Sequence, residues 1–127
     1  MGNINYPVGD FLLRIKNAAL AKRREVEVAD TKLIATVASV LKKEGFLEEV
    51  KKKDGKLIVK ISYRKKEPVL LDLKLVSKPG LRIYMGVDEL EAIRSPSFFV
   101  LSTPRGVLSS RDAIKKQVGG EVIVEVW

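Results

Sequence analysis

The sequence predicts an α+β protein, with an N-terminal α-β-α-β-β half packed against a C-terminal half dominated by antiparallel sheet with short helices. Two observations predict this fold. Apolar residues recur at helical spacing in two early stretches and at alternate positions in several later ones. The 127 residues are 46% apolar and 31% charged, which is typical of a globular chain. This length suits one domain, or two small halves that share a surface.

Two helices are predicted in the first half. Pro7 suits the first position of a helix, where its missing N–H is not needed. The second helix is capped by Asp30 or Thr31, and Gly45 ends it. A short strand separates the helices, because Val26 and Val28 alternate with glutamates. The apolar faces of the two helices are formed by Val8, Phe11, Leu12, Ile15, Ala18 and Ala19, and by Leu33, Ile34, Val37, Val40 and Leu41.

A hairpin and a boundary follow these helices. Residues 46–53 and 56–64 are predicted as strands joined at Asp54-Gly55, a strong hairpin signal. Pro68 disfavours continuation of a strand ladder, so the boundary between halves is placed after Lys66. The sequence therefore predicts an N-terminal α/β half over residues 1–66 and a mainly β half over residues 67–127.

The second half is punctuated by turn and cap signals. Lys78-Pro79-Gly80-Leu81 predicts a turn, and Ser109 with Asp112 resembles a capping box for a short helix that Gly119-Gly120 ends. The predicted elements, in order, are a strand with helical alternatives over 69–77, a strand over 81–85, a short helix over 87–93, a strand over 97–101, a loop over 102–106, a helix over 110–117 and a final strand with Val122, Val124 and Val126 on one face.

Composition excludes several classes of function. The chain has no cysteine and no histidine, so thiolate sites, disulfides and histidine bases are excluded. It has no glycine-rich phosphate loop and no carboxylate constellation for acid–base work, so we expect neither an enzyme nor a cofactor. Residues 1–5 lack a signal-peptide pattern and no apolar run is long enough to span a membrane, so we expect the protein in the cytoplasm.

The charge balance indicates a polyanionic partner. The formal net charge is +8, and residues 1–66 hold 16 Lys/Arg against 8 Asp/Glu, whereas residues 67–127 hold 8 of each. Electrostatics alone would therefore place nucleic acid on the first half. The densest basic run, Lys51-Lys52-Lys53, is either a solvated edge that discourages strand pairing or a phosphate contact.

Ser102-Thr103-Pro104-Arg105-Gly106 combines two hydroxyls, an arginine and a sharp turn. Such a segment can probe RNA shape, because short hydroxyls reach 2′-OH groups, phosphates and base edges. The alternative is an ordinary loop in which Ser and Thr cap the backbone.

Four blocks, in order along nearly the whole chain, resemble the bacterial small-subunit ribosomal protein eight family. They are residues 7–18, residues 41–47, the motif Ser77-Lys78-Pro79-Gly80-Leu81-Arg82-Ile83-Tyr84, and the C-terminal block 102–127. Three positions depart from the family pattern. Tyr6 replaces a usual acidic residue, residues 95–99 replace a glycine-containing stretch, and Pro104 stands where many members carry an RNA-contacting serine. Pro104 supplies neither a hydroxyl nor an N–H, which puts that contact in doubt.

The resemblance implies a structural constituent of the 30S subunit, monomeric when free, that binds a helix in the central domain of 16S rRNA and helps assemble the platform. Family members also contact ribosomal proteins five and twelve, and some repress their own operon's mRNA. The implied RNA contacts in the second half are Tyr84, Ser102, Thr103, Arg105, Gly106, Gly120 and Glu121. The candidates for backbone contacts in the first half are Arg14, Lys16, Asn17 and Lys32.

Several of these residues have a second interpretation. Tyr84 either stacks on a base or packs within the sheet. Gly120 is there either for a close approach of two backbones or as part of a glycine pair in which Gly119 ends the helix. Glu121 can accept from base amino groups or a 2′-OH. For the whole chain, the rival is a basic protein-interaction module whose lysines only confer solubility.

Overall fold

The computed structural model describes residues 6–127 and divides them into two compact units. The first unit comprises Pro7–Asp72, and the second comprises Leu73–Trp127 together with Tyr6. The predicted α+β class is confirmed. Residues 1–5, to which the signal-peptide argument applies, lie outside the described residues.

The first unit packs two helices on a three-stranded antiparallel sheet of order β1-β3-β2. Its elements are α1 (Pro7–Leu20), β1 (Glu25–Ala29), α2 (Lys32–Lys43), β2 (Leu47–Lys53), β3 (Lys56–Ile61), and a two-stranded hairpin of β4 (Tyr63–Arg64) and β5 (Glu67–Pro68). This hairpin spans the point where the sequence analysis placed the boundary, so residues 67–72 stay with the first unit.

The residues predicted to begin and end the second helix of the first unit, and to form the buried face of the first helix, occupy those positions in the structure. Thr31, rather than Asp30, caps α2: its side chain accepts a hydrogen bond from the Ile34 N–H at 3.2 Å. Gly45 follows the helix with φ +93°, a left-handed conformation that glycine adopts without a steric penalty. The buried face of α1 includes Phe11, Leu12 and Ile15, each almost fully excluded from solvent. Truncating one of these side chains to alanine typically costs about 2–5 kcal/mol.

Two hairpin turns in this unit have the same backbone but different sequences. Asp54 and Gly55 both have positive φ, as a type I′ turn requires. Lys65 and Lys66 also have positive φ, at 53° and 69°, and close the β4–β5 hairpin without a glycine. Neither lysine is a residue typical of turns, so this hairpin was not predicted. Pro68 fits it because a two-stranded hairpin leaves an edge where no N–H is needed.

The second unit is built around one central strand. Its elements are β6 (Leu73–Leu75), β7 (Tyr84–Met85), α3 (Val87–Glu91), β8 (Phe98–Thr103), β9 (Gly106–Ser109), α4 (Ser110–Lys115) and β10 (Gly120–Val126). β10 pairs antiparallel with β8 on one side and with β6 and β7 on the other, and β9 pairs with the far side of β8. A core cluster of Leu90, Leu101, Ala113 and Val122 joins α3 and α4 to this sheet.

Four predicted elements of the second unit are corrected. The strands expected over 69–77 and 81–85 shrink to β6 and β7, because the 78–81 turn holds the chain between them. The loop expected over 102–106 is wrong: Thr103 pairs with Gly106, and only Pro104 and Arg105 form the turn. The helix expected over 110–117 ends at Lys115, and Gln117 takes the left-handed position after it, so Gly119-Gly120 does not end the helix.

None of the helices in the described part of the chain has the length and apolar character needed to cross a membrane.

Candidate nucleic-acid interface

Three of the residues singled out from the sequence stand side by side on the sheet of the second unit. In the strand register, Glu121 on β10 lies opposite Tyr84 on β7 and opposite Ser102 on β8. Residues directly opposite each other in antiparallel strands present their side chains on the same face. Tyr84, Glu121 and Ser102 therefore form a continuous set across three strands, called the polar row below.

The polar row is open to solvent at both ends. The Tyr84 side chain is 66% exposed, and Ser102 is also exposed. The Ser102 hydroxyl makes no hydrogen bond to any residue that the structure describes. Since so much of Tyr84 is exposed, its ring is not a packing residue of the sheet. Both ends of the row thus carry groups that can contact a ligand.

Gly120 and Gly119 let neighbouring backbones approach each other closely. A Cβ on Gly120 would overlap the Ser102 carbonyl oxygen and lie 3.0 Å from the Thr103 Cα. A Cβ on Gly119 would overlap the Met85 carbonyl oxygen and lie 2.8 Å from the Gly86 Cα. Close approach therefore explains both glycines, and the helix-end interpretation of Gly119 is wrong. The contact at Gly120 fixes the spacing between Glu121 and Ser102.

The tight turn beyond the polar row uses the Thr103 hydroxyl internally. Thr103 Oγ1 accepts from the Arg105 N–H at 3.0 Å and donates to the Gly106 carbonyl at 2.7 Å. Gly106 has φ +106°, and Pro104 and Arg105 are exposed. The backbone-capping alternative thus describes Thr103, whereas Arg105 projects from the turn with no ion pair to the described residues.

Arg82 contacts Glu121, the middle residue of the polar row, and Tyr6 in turn contacts Arg82. Arg82 Nη1 lies 3.1 Å from Glu121 Oε2, and the Arg82 guanidinium lies 5.9 Å from the centroid of the Tyr6 ring. The Tyr6 hydroxyl donates to the Ser77 carbonyl at 2.9 Å. Burial raises the pKa of the Tyr6 phenol above its ordinary value; Arg82 opposes this rise and Glu121 adds to it. Tyr6 therefore remains a neutral hydrogen-bond donor near neutral pH.

Ser77 fixes the backbone beneath these side chains. It is fully buried, and its Oγ accepts from the Ile83 N–H at 2.9 Å and donates to the Ile83 carbonyl at 3.3 Å. The same Ile83 carbonyl accepts from the Val122 N–H at 2.9 Å. Ile83 precedes Tyr84 and Val122 follows Glu121, so these bonds lock the register of the row.

Sequence reasoning missed Tyr6, Ser77 and Arg82 as site residues. Their partners are distant in sequence: Arg82 and Glu121 are 39 residues apart, and Tyr6 and Ser77 are 71 residues apart. The available signals were the unusual tyrosine before Pro7 and the motif of residues 77–84, which contains both Ser77 and Arg82.

The first unit does not bring its four candidate residues together. Arg14 and Asn17 line a cleft of about 430 Å³ together with Arg23. Lys16 lies about 160° around α1 from Arg14 and pairs with Asp72 at 3.0 Å. Lys32, exposed at the start of α2, lines neither this cleft nor the larger one described next. Arg14 itself pairs with Asp10 at 3.1 Å, but both side chains are more than half exposed.

A larger cleft in the first unit, about 760 Å³, was not predicted from the sequence. Its cationic lining residues are Lys22, Arg24, Lys60 and Lys66. Glu25 lines both clefts, so they meet at the start of β1. The run Lys22-Arg23-Arg24, which follows α1, is the sequence signal that could have found this surface.

The net charge differs between the two units, but by less than it does when the chain is divided after Lys66. Residues 7–72 hold 16 Lys/Arg and 10 Asp/Glu, and residues 73–127 hold 8 and 6, giving net charges of +6 and +2. Lys51-Lys52-Lys53 lies on β2, an edge strand of its sheet, as the edge-protection alternative requires.

A family model described as ribosomal protein S8 matches residues 6–127. The chain belongs to the ribosomal protein S8 family. It is 42% identical over 135 residues to small ribosomal subunit protein uS8 of Persephonella marina, which covers 98% of this chain and 99% of that protein. It is 40% identical over 122 residues to the same protein of Nitratidesulfovibrio vulgaris strain DP4, and this match covers 95% of this chain and 97% of that protein. It is 42% identical over 127 residues to the same protein of Geobacter metallireducens, and this match covers 95% of this chain and 96% of that protein.

Membership of the ribosomal protein S8 family confirms the resemblance drawn from the four sequence blocks. It makes the chain a ribosomal protein rather than an enzyme, and it decides against an unrelated basic interaction module. The structure also shows where two of the residues that depart from the family pattern lie. Tyr6 braces Arg82, and Pro104 occupies the first position of the two-residue turn between β8 and β9.

Proposed function

We propose that this member of the ribosomal protein S8 family, a structural constituent of the small ribosomal subunit, binds a helix in the central domain of 16S rRNA directly and helps assemble the platform. The observation that carries the proposal is the polar row, which aligns an aromatic ring, a carboxylate and a free hydroxyl on one face of the sheet. Family membership supports the ribosomal context, and the row supplies the chemistry of recognition.

Each member of the row suits a different feature of RNA. The exposed Tyr84 ring can stack on an unpaired base. Glu121 can accept from a base amino group or a 2′-OH, and Ser102 can donate to or accept from sugar and base-edge atoms. Two strand spacings separate the ends of the row, roughly 10 Å. That span fits one or two nucleotides whose bases are displaced from regular stacking.

This geometry favours an irregular helix over a regular duplex. A regular A-form duplex has a deep, narrow major groove that side chains cannot read, and its shallow minor groove presents 2′-hydroxyls and base edges but no unstacked base for Tyr84. A flat sheet face also cannot enter the major groove. Bulged or non-canonically paired nucleotides expose the faces and edges that the polar row can contact.

The turn beyond the row adds a phosphate contact in this proposal. Arg105 is exposed and carries a charge that no described carboxylate neutralises, so it is free to pair with a phosphate. Thr103 holds Arg105 and Gly106 in a defined turn through its two hydrogen bonds. Its hydroxyl retains one acceptor lone pair for RNA.

The first unit supplies attraction to the RNA backbone rather than discrimination between sequences. Arg14 and Arg23 present two guanidinium groups, and Asn17 presents an amide, along one cleft whose lining also includes Glu25 and Glu27. Lys16 and Lys32 are proposed as further backbone contacts, Lys16 exchanging Asp72 for a phosphate. The net charge of +6 on this unit supports this division of roles.

Family membership also supports three proposals about partners. Ribosomal proteins five and twelve are the proposed protein neighbours, the free chain is proposed to be a monomer, and its own operon's mRNA is proposed as a second RNA target. Only an mRNA stem that presents the same displaced nucleotides would satisfy the polar row.

The test is equilibrium binding to a short irregular helix from the 16S central domain, beside a regular duplex of the same length and dextran sulfate. We expect the irregular helix to bind far more tightly than either control, and a one-to-one complex. Ser102→Ala should reduce the preference by about 1–3 kcal/mol, the usual size of a specifying contact. Ser95→Ala removes an exposed hydroxyl elsewhere in the second unit and should leave the preference unchanged. Equal affinity for all three polyanions would refute the proposal.

A further inference from the structure

Arg82 connects the polar row to Tyr6. One guanidinium nitrogen, Nη1, pairs with Glu121 Oε2 at 3.1 Å, while the guanidinium carbon lies 5.9 Å from the centre of the Tyr6 ring. The Tyr6 ring is itself held by its hydroxyl, which bonds to the carbonyl of the buried residue Ser77. A chain of contacts therefore runs from the fixed backbone at Ser77 to the carboxylate at the centre of the row.

The carboxylate needs such a restraint if it is to face RNA. A glutamate beside phosphates experiences electrostatic repulsion, and a free side chain would rotate away from the surface. Arg82 compensates this charge and occupies Oε2, which leaves Oε1 as the acceptor for a base amino group or a 2′-OH. The Glu121 side chain is only 22% exposed, so the ion pair is partly shielded from solvent and is stronger than a fully exposed pair.

We infer that Arg82 and Tyr6 are positioning residues that hold the Glu121 carboxylate in the orientation that recognises RNA, an inference that rests on the proposed function of the polar row. Neither residue needs to contact RNA. Tyr6 restrains the arginine by cation–π contact, and Arg82 restrains the carboxylate by a charge-assisted hydrogen bond. The specificity of the interface thus depends on a residue far from it in sequence.

The competing role for Arg82 is a direct phosphate contact, because its side chain is 48% exposed. The two roles differ in measurable ways. A phosphate contact contributes to the dependence of affinity on salt for every RNA sequence, and its loss leaves discrimination unchanged. If Arg82 positions Glu121, its replacement reduces the discrimination between RNA sequences and leaves the salt dependence of the affinity unchanged.

The experiment measures affinity of the full chain for the irregular helix and for the same helix with its displaced nucleotides paired, over a range of salt concentrations. The variants are Arg82→Gln, Glu121→Gln and the double variant. We expect Arg82→Gln to lower the ratio of the two affinities about fivefold or more, with an unchanged salt slope. In the Glu121→Gln background, Arg82→Gln should have almost no further effect, because the group it positions is altered.

Two Tyr6 variants separate the ring from the hydroxyl. Tyr6→Leu removes the ring beneath Arg82 and should lower the affinity ratio in the same direction as Arg82→Gln. Tyr6→Phe keeps the ring and loses only the bond to the Ser77 carbonyl, so it should retain most of the discrimination. Thermal unfolding of each variant, followed by circular dichroism, identifies any variant whose loss reflects unfolding. Arg82→Lys keeps the charge but not the planar stacking, and should restore only part of the ratio.

The outcomes distinguish failure of the inference from failure of the proposed function. An unchanged ratio for Glu121→Gln would remove the polar row from recognition and with it the proposed function. A lowered ratio for Glu121→Gln with an unchanged ratio for Arg82→Gln would overturn only the positioning role. A flatter salt slope for Arg82→Gln at an unchanged ratio would make Arg82 a phosphate contact instead.

Discussion

Thr103 uses both hydrogen-bonding functions of its hydroxyl inside its own turn. The sequence left two roles open for this hydroxyl, RNA contact or backbone capping, and the structure commits it to Arg105 and Gly106. A residue with this geometry acts on recognition mainly by keeping the turn rigid. Its contribution to folding is correspondingly larger than that of an unbonded loop hydroxyl.

We expect Thr103→Ala to lower the free energy of unfolding by about 0.5–1.5 kcal/mol, because two turn hydrogen bonds in an exposed position are lost. Thr103→Ser keeps the hydroxyl and should retain both stability and RNA affinity. Urea unfolding and RNA titration of the two variants provide the measurement. If serine and alanine behaved alike, the hydroxyl would have no role in the turn.

Gly120 is required for the contact between β10 and β8 rather than for a turn. Gly120→Ala would force its Cβ against the Ser102 carbonyl, and the strands would have to separate. We expect a loss of about 1–3 kcal/mol of unfolding free energy, together with weaker discrimination between RNA stems. Gly86→Ala is the matched control, because its Cβ would lie 3.8 Å from Glu89 Oε1, an ordinary contact. Equal effects of the two substitutions would contradict the close-approach explanation.

At the scale of elements, the sequence correctly predicted the features that depend on residues close together in the chain. The apolar spacing of α1, the cap at Thr31 and the Asp54-Gly55 turn are local signals, and each structure formed as expected. The β4–β5 hairpin was missed because Lys65-Lys66 lacks any turn residue. The loop expected at 102–106 is a hairpin, because Thr103 pairs with Gly106 and the two strands extend to the Pro104-Arg105 turn, which lacks the Asn-Gly or Asp-Gly signal of the 54–55 turn.

The candidate site was predicted in part for the same reason. Tyr84, Ser102 and Glu121 came from the family resemblance, and the register brings them together. Arg82 and Tyr6 depend on contacts between segments far apart in the chain, which periodicity and spacing cannot reveal. Charge counting identified the more basic unit but not its clefts, since a cleft depends on how β1, β3 and the β4–β5 hairpin are arranged.

The Lys65-Lys66 turn contains stored backbone strain that substitution can release. A non-glycine residue in the left-handed region costs about 1–2 kcal/mol. We therefore expect Lys66→Gly to be more stable than Lys66→Ala by about 1 kcal/mol, since both variants lose the same charge and differ only in backbone freedom. Chemical denaturation of the two variants is the measurement. A more stable alanine variant would show that the turn is not strained.

At the scale of the whole molecule, the two units differ in net charge, and this difference predicts how salt affects RNA binding. Arg14 and Arg23 line one cleft of the more basic unit. Replacing both by alanine should flatten the plot of log affinity against log salt by about 1.5–2 units, while the preference for the cognate stem survives.

The control for this prediction replaces Lys53 and Lys56, which flank the Asp54-Gly55 turn. They lie about 14 Å along the sheet from the start of β1, because Lys56 pairs with Ala29 whereas Glu25 pairs with Lys60. Their loss removes the same charge from the same unit and should change the slope little. An equal change from both pairs would mean that net charge, and not the cleft, attracts the RNA.

The central claim is that the polar row faces displaced nucleotides of the 16S central domain, and cleavage from a tethered reagent tests it most directly. The chain has no cysteine, so Pro104→Cys, at an exposed turn position beside the polar row, creates a single attachment point for an iron chelate that generates hydroxyl radicals. In complexes with intact 16S rRNA, we predict strong cleavage confined to one irregular helix of the central domain, and weaker or different cleavage from the chelate attached through Lys53→Cys. Cleavage from position 104 that is absent from the central domain, or scattered along the RNA as from a non-specific complex, would contradict the account.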